Sequence, residues 1–148
     1  MDRPLQWSES FSVGHSELDE EHRRLVADIN DICHAYRAGQ PPKRLHALLN
    51  SLATDTKRHL AHEDAVLREF SAEAKRPTRA ILKAITDAAV EQHIAAHDQS
   101  FAQLGVIMRA AGPKTPDAAS VLCAELTKWF LDHAIKYDSH LKTIFQAM

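Results

Sequence analysis

Four glycines and two cysteines are all that this 148-residue sequence contains of either type. No stretch alternates apolar and polar residues for long, so a β-rich fold has little support. Two cysteines, Cys33 and Cys123, do not make a disulfide framework. They are expected to be inert core thiols in a reducing, cytoplasmic compartment. The longest runs free of Asp, Glu, Lys and Arg are Leu45 to Thr54 and Gln99 to Met108, ten residues each. Neither can span a bilayer, and the opening MDRPLQWSES has no apolar signal core, so membrane insertion is not expected. With 18 basic and 20 acidic residues, a net charge of −2 gives no electrostatic reason to expect nucleic acid as a partner. Also missing are a glycine-rich phosphate loop, a nucleophile elbow and an aromatic–basic surface motif.

What remains is rich in helix formers, and 45% of it is hydrophobic, enough for a packed core. Breaks fall in the first eighteen residues, at Gly39-Gln-Pro-Pro42, near Arg76-Pro77 and at Gly112-Pro-Lys-Thr-Pro116. They leave an N-terminal arm over 1–18 and four helical stretches in a single domain over 1–148. The first helix begins near Ser16 or Asp19, with Glu17, Asp19, Glu20 and Glu21 complementing its dipole, and Gly39 stops it. Its apolar stripe reads Leu18, His22, Leu25, Ile29, Ile32, Tyr36. The second, from Pro42, reads Leu45, Leu49, Leu52, Thr56, His59, Glu63, Val66, Phe70. The third reads Leu82, Thr86, Val90, His93, His97, Phe101, Leu104, Met108. The fourth, from Pro116, reads Leu122, Leu126, Trp129, His133, then His140 and Ile144. The fold class is therefore all-α: an antiparallel up-down-up-down four-helix bundle with an arm and an extended second/third helix region.

Histidine is abundant, at ten residues, and every stripe is interrupted by His or Glu. An imidazole or carboxylate in a bundle core is costly unless something satisfies it. His59-Leu-Ala-His-Glu63 and His93-Ile-Ala-Ala-His97 each place two ligand types one turn apart on one face. Composition alone supplies roughly one such i, i+4 motif by chance, so neither is decisive. Chance does not readily supply such groups on the inward stripes of four successive helices. With His22, His133 and Asp138, the set is five imidazoles and two carboxylates, suited to a pair of cations. Ligation rich in imidazole and free of thiolate fits Fe, Mn, Zn or Cu and argues against Ca²⁺ or Mg²⁺.

The order of these residues resembles the hemerythrins, in particular the single-domain bacterial bacteriohemerythrins. The resemblance runs from Trp7 through Val13-Gly-His-Ser-Glu-Leu-Asp19-Glu-Glu-His22, His59 to Glu63 and His93 to His97, to Trp129-Phe-Leu-Asp-His133-Ala-Ile-Lys-Tyr-Asp138. It implies a non-haem di-iron centre with an oxo or hydroxo bridge, Fe²⁺ without O₂ and Fe³⁺ with it. His93, His97 and His133 would hold one iron, His22 and His59 the other, and Glu63 and Asp138 both. The implied function is reversible O₂ binding, for carriage, storage, delivery or sensing, without substrate turnover. Azide or nitric oxide would be further ligands, and the chain a monomer or weak oligomer. A di-iron enzyme (peroxidase, nitric-oxide reductase or oxygenase) and an iron store or donor are the alternatives.

Three features depart from the family pattern. Leu60 and Leu67 stand where the family usually carries Phe and Met, which reshapes the pocket and keeps it apolar. The thirty residues from Glu63 to His93 are roughly twice the usual gap. The additional material, about 70–90, forms either a longer hairpin or a short helix, with room for a protein partner. His15, His34, His46, His62 and His140 fall outside the ligand set, and His62 and His140 are candidates to support it. Finally, an i, i+5 step turns about 140° around a regular helix. His133 and Asp138 can face one site only if a π-type irregularity lies between them.

Overall fold

The computed structural model describes residues 4–73, 80–110 and 116–137. A short 3₁₀ turn, Glu9–Phe11, precedes four helices: α1 (Ser16–Arg37), α2 (Pro42–Glu73), α3 (Ala80–Ala110) and α4 (Pro116–Leu131). A π-helical segment, Asp132–Tyr137, continues α4. The described residues contain no strand and no helix long and apolar enough to cross a membrane.

Local chemistry sets the ends of α1. The His15 ring accepts the Leu18 N–H, and Asp19 turns back to accept Val13 N–H at 2.8 Å and the Ser12 hydroxyl at 2.7 Å. At the other end Gly39 adopts φ 65°. Its N–H reaches the Tyr36 carbonyl while the Gln40 N–H reaches that of Ala35. These are the two bonds of a Schellman cap, which needs a residue at ease with positive φ.

Pairings between helices give the topology. Along α1 and α2, Arg24 meets Asp55 while Glu21 meets His62, so the chains run in opposite directions. Arg68 with Glu91 and Glu63 with His97 do the same for α2 and α3. The Trp129 N–H donates to the Ser100 carbonyl while His133 sits against His97, so α3 and α4 are antiparallel too. α4 closes the ring on α1, where Cys33 meets Cys123 and His22 meets His133.

The interior divides in two. A large apolar cluster holds Leu25, Ile29, Ile32, Leu52, Leu104, Leu126 and Phe130. A smaller one holds Val13, Leu18, Leu67 and Val90. On α1, α2 and α3 the polar interruptions lie between residues of the two clusters. One stripe position moves: Leu67 is fully buried and Val66 only partly so. An α-helix drifts by about 20° per heptad, which favours the i+4 neighbour of Glu63 over i+3. The 70–90 material resolves likewise, since 70–73 continue α2 and 80–90 open α3 as longer helices.

Cys33 and Cys123 require a correction. They form a disulfide, with Cα atoms 5.6 Å apart across 90 residues of chain. Spacing gave no sign of it, because the antiparallel packing of α1 on α4 creates the proximity. The inference of a reducing compartment from free thiols therefore loses its premise.

One buried contact titrates. Burial and the neighbouring Asp55 push the Asp28 carboxyl up to about 7, so that it donates its proton to Asp55, which Arg24 also holds. The fold thus binds a proton between about pH 4 and 7 that the unfolded chain releases, and stability falls as pH rises through that window. Asp28→Asn is expected to stabilise the protein at pH 8 by about 1 kcal/mol, after allowance for half-burial, with little change at pH 4. Urea denaturation of both proteins at the two pH values measures the difference.

Candidate metal centre

Glu63 is the centre of the site. Its carboxylate is fully buried on α2, and its two oxygens face different sets of imidazoles. Oε1 lies 2.7 Å from His93 Nε2 and 2.8 Å from His97 Nε2, both on α3. Oε2 lies 3.1 Å from His59 Nε2 and 4.0 Å from His22 Nε2. The latter oxygen is buried without a hydrogen bond of good geometry, despite its closeness to His59. Burial alone would push the Glu63 pKa up. The imidazoles of His59, His93 and His97 outweigh that and hold it well below the usual carboxylate range.

A second layer sets the imidazoles. His22 Nδ1 donates to the Phe11 carbonyl at 3.0 Å, and His59 Nδ1 to Glu21 Oε1 at 2.8 Å. His97 Nδ1 donates to Asp64 Oδ1. In each case Nδ1 carries the proton and Nε2 is turned inward, the tautomer a metal ligand needs. His59 and His97 thus face a carboxylate at both ring nitrogens. A neutral imidazole can donate at only one of them. Each inner contact therefore accommodates one positive charge, as a proton or as a cation. This donor set fits a metal.

Among the described residues, two groups of ligand atoms could each hold an ion: His22, His59, Glu63 and His133 in one, and Glu63, His93 and His97 in the other. Glu63 belongs to both. The grouping differs from the expected one at His133, whose Nε2 lies 3.2 Å from His59 Nε2. The two imidazoles share a hydrogen bond, and the His133 ring also lies 5.7 Å, centroid to centroid, from that of His97. Asp138 and His140 lie outside the described residues. The segment that leads to Asp138 is π-helical from Asp132 to Tyr137. A π turn closes on the fifth residue, the kind of irregularity that the spacing of His133 and Asp138 predicts.

The family comparison agrees with this geometry. The model of the hemerythrin HHE cation-binding domain matches residues 13–145. The chain belongs to the hemerythrin family. In this hemerythrin domain, residues that the sequence reading passed over support the cage. Glu21 served there only as a first-turn acid. Its carboxylate instead joins His59 to His62, whose Nδ1 meets Glu21 Oε2 at 2.5 Å. Those two partners keep its pKa lowered against the upward push of burial. His62 thus reaches the site through Glu21, and its side chain lies 3.5 Å from the carboxylate of Glu17. His15 caps α1. The Phe11 carbonyl is a backbone group, so no side-chain pattern could announce it.

Two outcomes follow from these contacts. Glu63→Gln is expected to fold as a helical protein that retains at most one metal equivalent, by elemental analysis after anaerobic loading with Fe²⁺. Two retained equivalents would refute the shared role of Glu63. Glu21→Ala is expected to weaken metal binding roughly 10–100-fold, by competition with a chelator, because His59 loses its orienting acceptor.

Proposed function

We propose that this hemerythrin domain binds O₂ reversibly at a pair of iron ions held by His22, His59, Glu63, His93, His97, His133 and Asp138. The observation that carries this reading is the buried Glu63, with one oxygen towards each of two histidine groups. A carboxylate so placed suits two cations a few ångströms apart better than one. Iron held there would supply the two electrons that O₂ takes up on binding and gives back on release.

The residues of the chain favour return over further reaction. Five neutral imidazoles against two carboxylates leave a metal pair less electron-rich than a carboxylate-dominated site, which disfavours O–O cleavage. Leu25, Leu60, Trp129 and Phe130 are buried around the ligands and keep water and reductants out. Trp129 spends its N–H on Ser100, so it presents an apolar surface. With His22, His59 and Glu63 at 0–1% exposure, the ligands are not arranged for easy exchange with solvent, which argues against iron donation.

A second reading, a di-iron enzyme without reversible binding, draws on one feature. A groove between α1 and α2, lined by Arg24, Asp55 and Arg58, reaches His59 and gives a small reductant an approach to the edge of the cage. The decisive experiment is anaerobic loading with two Fe²⁺ per chain, admission of O₂ and then purging, followed by visible absorption. The expected result is a band that rises with O₂ and vanishes on purging over repeated cycles. Steady O₂ consumption with no reversible band would replace the carrier with the enzyme.

A further inference from the structure

The disulfide opens onto a groove of about 930 Å³ whose walls include Leu5 of the arm, Asn30 and Arg37 of α1, and Lys128 of α4. That volume suits a small molecule. Cys33 and Cys123, 7% and 6% exposed, both line it, so the S–S bond is packed against the core on one side and borders the groove on the other. The arm wall is fixed: Leu5 N–H donates to Asn30 Oδ1 at 2.9 Å and Asn30 Nδ2 to the Leu5 carbonyl at 2.8 Å. Asp31 and Asp132 share the walls with Arg37 and Lys128. Both signs of charge are therefore on offer, the recognition pattern for a zwitterion rather than a polyanion.

The position of the bond gives it a second property. It joins α1 to α4, the two helices that carry His22 and His133, whose ring centroids are 5.5 Å apart. Cys33 precedes the α1 cap by a few residues, and each cysteine lies about 15 Å along its helix from the histidine. The α1–α4 pair is thus pinned covalently at one level and by the ligand cage at another.

We infer that Cys33–Cys123 is a thiol–disulfide exchange site for a small zwitterionic thiol, and that opening it loosens the α1–α4 side of the metal cage. The thiolate of the incoming molecule attacks one cysteine sulfur; the S–S bond breaks, and the other sulfur leaves as a thiolate that takes up a proton. The thiolate of a second small molecule attacks the first one's sulfur in the mixed disulfide, and the protein cysteine leaves as a thiolate that takes up a proton. The chain ends with two thiols, and two small thiols end as one oxidised disulfide, a balanced two-electron exchange. Arg37 and Lys128 favour the thiolate form of the attacking group.

The test uses the full chain purified in air and reduced glutathione as the probe. In native buffer, alkylation and mass spectrometry should find a transient glutathione adduct on Cys33 or Cys123, followed by two alkylated cysteines per chain. The rate should not depend on low concentrations of urea. Adducts that form only as urea unfolds the chain, or two free thiols in the air-purified protein, would overturn the site. The fully reduced chain should melt about 8–15 °C lower, and an unchanged melting temperature would overturn the clamp. The link to the cage rests on the metal reading. In the iron-loaded protein, reduction should speed capture of iron by a chelator roughly tenfold, equivalent to about 1.4 kcal/mol. An unchanged capture rate beside a lowered melting temperature would overturn that link alone. Failure to load iron at all would count against the metal reading, and the thiol and melting results would stand apart from it.

Discussion

A carboxylate buried in the centre of a helical bundle is the constraint from which the rest of this structure follows. Glu63 has no solvent to share its charge, and a lone carboxylate there would take up a proton or unfold its surroundings. It stays ionised because His59, His93 and His97 bring positive partial charge to it from two helices. Those imidazoles are in turn buried polar groups that must be satisfied at their outer nitrogens. Glu21 and Asp64, both nearer the surface, serve His59 and His97, and the Phe11 carbonyl serves the neighbouring His22. Charge is thus passed outward in layers, carboxylate to imidazole to carboxylate, until water takes over. Such an arrangement is poor value as stability, since well-packed apolar residues would serve at least as well. Its retention makes sense as a site.

The arm belongs to that arrangement. Phe11 is buried with its ring edge-on to Phe130 and 5.4 Å away, while its carbonyl holds His22. Trp7 packs on Phe11 on one side and under the Arg23 guanidinium on the other. The segment before α1 therefore closes the opening between α1 and α4 with apolar rings and supplies one backbone acceptor to the ligand cage. Loss of the arm would act on His22 through orientation and water access together.

The bundle and most of its cage could be read from residue types alone, because the signals were violations of a simple pattern. His22, His59, Glu63, His97 and His133 sit where apolar residues belong, and each is buried in the structure. The π-helical segment was legible for a different reason: two candidate ligands five residues apart cannot share a face of a regular helix, so their spacing predicts an irregular turn, and 132–137 are π-helical. Contacts that depend on the relative height of two helices were not legible. Glu21 has an adequate local explanation as a first-turn acid, which masked its bond to His59. The Cys33–Cys123 pair needs the register of α1 on α4, which no spacing within either helix contains. The place of His133 beside His59 depends on the same kind of register.

The two halves of the molecule are built differently, and the division bears on how a bundle can hold a metal. Towards the α1–α2 turn lie the large apolar cluster, the Schellman cap and the disulfide. Towards the other end lie the small apolar cluster, the long reach of α2 and α3, and the loosened π-helical turn after α4. The ligand layer is the boundary between them. A metal site built from several helices needs its donor groups held at matching heights. Rigid packing on one side keeps α1 and α4 in register. On the other, the π segment departs from the tightest helical packing and carries His133 into the ligand layer from the end of α4.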